Sequence, residues 1–196
     1  MHRYRLSPAR WTAAMAREWR RDSPPVEAAE RVAEQLWGSA TLLPMVRFVC
    51  ASTFPVVTWD RDALMQRKTA APLLHPKLVE QVLTDVATSA EIPPVLRIVG
   101  FVGVSPLATA YQEHASLRGI ARTVVMVAPH GNPRTMTLAE CDAQGTAVVS
   151  VRAAGPQVVV PGDPGPRAGS AMSPIWLRLF GEQLFDWAIR SGRLPE

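Results

Sequence analysis

Residues 95–104 read Val-Leu-Arg-Ile-Val-Gly-Phe-Val-Gly-Val, and the assignment of this run decides the fold. It holds a single charge, follows Pro93-Pro94 and ends at Ser105-Pro106. A short apolar run between such breakers reads as a buried strand. Working outward from it, the two halves of the chain have different periods.

Toward the C-terminus, Ser105 is a candidate N-cap for a helix over residues 106–118, closed by Gly119. Residues 123–128, 135–138, 146–152 and 157–160 then read as strands rich in Val and Thr. The segments between the first three, His130-Gly131-Asn132-Pro133 and Asp142-Ala143-Gln144-Gly145, are short enough for hairpins. An antiparallel meander of about four strands is the expectation. Residues 161–173 are a Pro/Gly loop. Ser173-Pro174 then opens a last helix over residues 175–189, amphipathic with a wide apolar face. It bears Trp176, Phe180, Phe185 and Trp187, with Arg178, Glu182 and Asp186 recurring every fourth residue.

Toward the N-terminus the period is helical. Trp11, Met15 and Trp19 share one face of a helix begun at Ser7-Pro8, and Ala29, Val32, Ala33, Leu36 and Trp37 form the stripe of a second. Residues 41–52 read as a third, buried helix holding an inert Cys50, whereas residues 54–59 read as extended because of Pro55. His75-Pro76 opens a further helix with Leu78, Val79, Val82, Leu83 and Val86 on one side. The expected fold is α+β. A helical region of about four helices (1–92) precedes a strand-rich region (93–160), the loop (161–173) and a closing helix (174–196), all in one compact domain.

Charge narrows the function. Of 21 basic residues only Lys68 and Lys77 are lysines, a skew that fits a GC-rich bacterial genome. Residues 1–22 carry six arginines against Glu18 and Asp22, which is the whole net charge of +4. A neutral body with a basic N-terminal segment argues against an extended nucleic-acid surface and for a local docking patch.

Catalytic motifs are scarce. No G-x-G-x-x-G or P-loop occurs, and His2, His75, His114 and His130 have no zinc-ligand spacing with each other or with the two cysteines. No cofactor and no metal are expected. Pro106 removes the backbone N–H that a nucleophile at Ser105 would need in an oxyanion hole. Cys141 with His130 and Asp142, and His114 in support, is the alternative site of a small hydrolase or transferase. Flanking acids would raise that thiol's pKa, which disfavours it.

The expectation is therefore a non-catalytic cytoplasmic accessory or adaptor protein. Its interface would use Arg10, Trp11, Arg17, Trp19, Arg20 and Arg21 at one end and Trp176, Phe180 and Trp187 at the other. The partner would be a protein with an acidic surface or a second copy of the chain. Weak nucleic-acid binding through the N-terminal arginines is a further alternative. The sequence contains no apolar stretch of bilayer-spanning length.

Overall fold

The computed structural model describes residues 5–10, 12, 15, 19, 25–67, 70–128, 131–166 and 171–195. Trp11, Arg17, Arg20, Arg21 and His130 lie outside the described residues, as does most of the expected first helix. The described chain is α+β, built on one mixed sheet of eight strands. In chain order the elements are β1 (Ser7–Pro8), α1 (Pro25–Trp37), β2 (Thr41–Leu42), β3 (Val46–Phe48), β4 (Ala51–Trp59), α2 (Arg61–Gln66), α3 (Pro76–Thr84) and α4 (Val86–Glu91). There follow β5 (Leu96–Gly103), α5 (Leu107–Glu113), a 3-10 turn (His114–Leu117), β6 (Arg122–Val127), α6 (Thr135–Ala143), β7 (Ala147–Arg152), β8 (Gly155–Val160) and α7 (Pro174–Arg190).

The sheet order is β1-β3-β4-β5-β6-β7-β8, with β2 beside β4. This overturns the expected helical half followed by an antiparallel meander. The first 92 residues supply strands to the same sheet, and β5, β6 and β7 run parallel. Residues 135–138 belong to α6, not to a strand. The reason is topological: parallel neighbours require a crossover long enough to return the chain to the starting edge, and a helix supplies it. Residues 41–52 are not a helix either; they form β2, β3 and a hairpin turn that leaves Cys50 exposed.

Pro55 is tolerated inside β4 because its neighbours on that side change there. Val56 and Val57 pair with β2, whereas Ala51 to Thr53 pair with β3, so Pro55 falls in the gap between the two. Its carbonyl still accepts from the Leu43 N–H (2.8 Å).

Strand alternation divides the core between two faces. Val102, Val124, Met126 and Val149 meet the small-residue stripe of α1 (Ala28, Ala29, Val32, Ala33), together with Met15 and Trp19. On the other face Phe48, Val57 and Phe101 meet Leu184, Phe185 and Ala188 of α7, and Val125, Val127 and Val148 meet Ala110 of α5 and Cys141 of α6. Helices thus cover both faces of the sheet. Among the described residues, no helix is long and apolar enough to cross a membrane.

Candidate functional site

Of the four aromatic anchors expected at the two ends that are among the described residues, Trp19 and Trp187 go to the core. Trp19 is 3% exposed and its indole N–H donates to the Val104 carbonyl (3.2 Å). Trp187 is 6% exposed and donates to the Pro44 carbonyl (3.0 Å). The two lie in separate clusters on opposite faces of the sheet. Trp176 is exposed, packed at an angle on Phe180, which in turn meets Phe48 edge-on (5.1 Å between ring centroids). Arg10 is exposed.

Of the residues of the enzymatic alternative, Cys141, Asp142 and His114 are among the described residues and His130 is not. Cys141 is fully buried within α6 rather than set in a turn, and burial followed by the nearby Glu140 pushes its thiol up to about 11. Its neighbour Asp142 is exposed. His114 is completely buried at the start of the 3-10 turn. Its Nδ1 lies 2.7 Å from the Ala110 carbonyl, which makes Nδ1 the protonated nitrogen and leaves Nε2 an acceptor without a donor. Desolvation holds this imidazole below its ordinary pKa. Ser105 does not cap α5; the N-cap position belongs to Pro106, and the Ser105 hydroxyl donates to Glu113 Oε2 (2.9 Å). Among the described residues no cluster of three metal-ligating side chains forms.

The feature that the fold builds is a cleft at a break in the sheet. β4 pairs with β5 down to Leu96, whereas β6 begins only opposite Gly100. Among the described residues, 96–99 therefore have a strand on one side alone. The Asp60 N–H donates to the Val95 carbonyl (3.0 Å), so residues 95 and 97 bond toward β4. By alternation the N–H and C=O of Leu96 and Ile98 point the other way, into the cleft.

The cleft has a volume of about 920 Å³ and is walled from both faces of the sheet. Trp37 of α1 forms one wall, approaching so closely over Gly100 that a Cβ there would lie 2.1 Å from the ring. Leu177, Arg178 and Gly181 of α7 form the other, and Pro164, Gly165 and Pro166 close one side. Gly181 stands in the middle of a helix. A Cβ on it would meet only Leu96 atoms at 3.8 and 3.9 Å, an ordinary contact, so packing does not require the glycine. Its presence costs roughly 1 kcal/mol of helix propensity relative to alanine and keeps the cleft open.

The floor is fixed by a buried ion cluster. Arg67, 1% exposed, grips Glu182 through two bonds (2.6 and 2.9 Å), and Arg178 meets the same carboxylate at 3.0 Å. The Leu73 N–H also donates to Glu182, and Arg67 and Arg178 reach the Pro93 and Ile92 carbonyls. This ties α7 to the entrance of β5. Arg122, at the first position of β6, lies over the Trp37 ring (5.9 Å) and donates to the Pro161 carbonyl (2.9 Å). Burial lowers its pKa and that of Arg178. In each of these two arginines Nε is buried without an acceptor.

Comparison of the chain with protein-family models, curated proteins and solved structures finds no match, so the geometry alone carries the reading below. Sequence reasoning missed this cleft. Its one signal was the Arg178, Glu182, Asp186 recurrence on an otherwise apolar helix: Glu182 and Asp186 prove buried rather than solvated.

Proposed function

We propose that this chain is a non-catalytic binding protein of the cytoplasm that takes up an extended segment of another protein along the open edge of β5. The observation that carries this reading is the unpaired side of residues 96–99, set inside a cleft walled from both sheet faces. An exposed strand edge is a template for a further strand: backbone bonds supply affinity, and flanking pockets supply selectivity. The apolar walls (Trp37, Leu177, Ile120) would receive alternate side chains of that segment. The arginine bias supports a GC-rich bacterial source.

Exposed Trp176 favours a second reading, an interface on the terminal-helix surface with Phe180 beneath the indole. One experiment separates the two. Random dodecapeptides displayed on phage are selected against the protein, and the recovered sequences are measured by fluorescence anisotropy against wild type, Gly181→Phe and Trp176→Ala. Strand addition predicts that Gly181→Phe, whose ring fills the cleft, weakens binding by about tenfold or more while Trp176→Ala does not. The reverse pattern assigns the interface to Trp176. Failure to select any peptide refutes the strand-addition reading.

A further inference from the structure

Among the described residues, the ionisable side chains that line the cleft are three arginines, Arg97, Arg122 and Arg178, and a single carboxylate, Glu182. Outside residues 1–22 the chain has as many acidic as basic residues, so this excess belongs to the cleft and not to the chain at large. We infer that the segment taken up beside β5 is acidic, with one carboxylate side chain turned to Arg178 on the α7 wall and another turned to Arg97 and Arg122 on the α1 wall. The inference rests on the strand-addition reading and adds the chemistry of the partner.

On the α7 side the positive charge is held largely away from water. Glu182 is already shared: Arg67 holds it at 2.6 and 2.9 Å and Arg178 at 3.0 Å, so two guanidinium ions stand against one carboxylate. Arg67 is buried, and Arg178 is the member of the pair that lines the cleft. The bonds of Arg178 to Glu182 and to the Ile92 carbonyl both use Nη2. Its Nε is buried without an acceptor, which leaves Nη1 as the nitrogen offered to the cleft. A charge removed from water without a full counter-ion is costly, and a carboxylate arriving at Nη1 would bring the cluster to two of each sign. An apolar side chain there would complete the desolvation of Arg178 with nothing to offset it.

On the α1 side the charge is more open. Leu96 and Ile98 join the core on the α7 side, so alternation turns Arg97 toward α1. Arg97 is exposed and, among the described residues, forms no ion pair. Arg122 lies over Trp37 on the same side, and its hydrogen bond goes to a carbonyl, that of Pro161. The two arginines bracket the free edge: Arg97 is near its start, and Arg122 stands opposite Gly100, just past its end. Three residues of strand span about 10 Å, so two long arginine side chains can converge on one carboxylate between them. The free edge covers four residues, and alternation turns two residues of a segment laid along it to each wall. Acids facing opposite walls are then an odd number of residues apart, at i and i+1 or i and i+3. A nucleic-acid strand would also bring negative charge, but it has no alternating N–H and C=O groups to pair with those of Leu96 and Ile98.

The test starts from random dodecapeptides selected on phage. Recovered sequences are synthesised with each Asp or Glu kept, or replaced by Asn or Gln, and measured by fluorescence anisotropy against wild type, Arg97→Glu and Gly181→Phe. Arg97 is exposed and lies outside the buried cluster, so its replacement leaves the fold in place, which circular dichroism checks. The recovered sequences should carry two acids at odd spacing, and amide replacement of either should weaken binding about tenfold. Arg97→Glu should weaken the acidic peptide by about three- to tenfold and should bind a version with Lys at the α1-facing acid more tightly than wild type does. Recovered peptides without an excess of acids, or acid and amide forms of equal affinity, with binding lost in Gly181→Phe, overturn the acidic inference and leave strand addition standing. Recovery of no peptide, or binding indifferent to Gly181→Phe, overturns both. An oligothymidylate that binds wild type but not Gly181→Phe, where no peptide is recovered, assigns the arginines to phosphates and also overturns both.

Discussion

Replacing Gly181 by alanine should make the protein more stable. Gly181 sits well inside α7, which runs from Pro174 to Arg190, so its backbone is helical and the gain in helix propensity applies in full, about 1 kcal/mol. The new methyl meets Leu96 Cδ1 at 3.8 Å and the Leu96 carbonyl oxygen at 3.9 Å, distances of attractive rather than repulsive contact. No overpacking penalty opposes the gain. For a chain of this size about 1 kcal/mol corresponds to a rise in Tm of roughly 2–4 °C. Urea unfolding followed by far-ultraviolet circular dichroism, at unchanged m-value, measures the free energy directly. An unchanged or lowered midpoint would refute the reasoning, because it would mean that the space beside Gly181 is needed for packing and is not a cleft kept open.

Glu182→Gln should cost about 3–5 kcal/mol in the same assay, since it leaves the Arg67 and Arg178 guanidinium ions facing one another without their shared counter-ion; a loss under about 1 kcal/mol would show that the cluster is not buried as described. Gly103→Ala should destabilise by about 1–3 kcal/mol, because its Cβ would lie 2.3 Å from His114 Cε1 in a site with no room to yield, and a double-mutant cycle with His114→Ala should show strong coupling between the two positions. The depressed pKa of His114 sets the sign of an acid effect: its contribution is full above the usual value near 6.5 and drains away as pH falls from there toward the folded-state pKa. The slope is at most about 1.4 kcal/mol per pH unit, and His114→Gln should flatten it. Iodoacetamide at neutral pH should modify exposed Cys50 readily, but Cys141, buried and held up to about 11, only on unfolding; equal rates in the native protein would contradict its burial.

Local signals carried α1, α3, α7 and β5. Proline at the first helical position, apolar residues spaced for one helix face and an uninterrupted Val/Ile/Phe run are all readable over a window of ten residues. Residues 41–52 misled because a short apolar run has no period that separates a buried strand from a buried helix. Thr135 to Leu138 misled for a different reason. Their alternation suits a strand, but the segment must carry the chain back across the sheet between parallel β6 and β7, and that demand overrides local preference.

The candidate site was less legible still. Arg67 and Glu182 lie 115 positions apart, and nothing in either neighbourhood announces the pair. The open edge of β5 is a property of register: it exists because β4 pairs with β5 as far as Leu96 while β6 begins only opposite Gly100, a mismatch that no single strand encodes. The aromatic surplus at the chain ends was visible, but whether an indole is an anchor or a core side chain depends on what folds over it. Val104 and Pro44 carbonyls, far from Trp19 and Trp187 in the chain, decided that.

By itself, the sequence determined which segments are helical or extended where their period is clear, that the chain can bury a core, and that the familiar phosphate-binding and zinc-ligand motifs are missing. The tertiary structure alone decided strand order, parallel direction, the burial of His114 and Cys141, and the cleft. The physical reason is range. Helix and strand propensities act between neighbours in the chain, whereas pairing, burial and electrostatic clustering act between residues that become neighbours only once the sheet has formed.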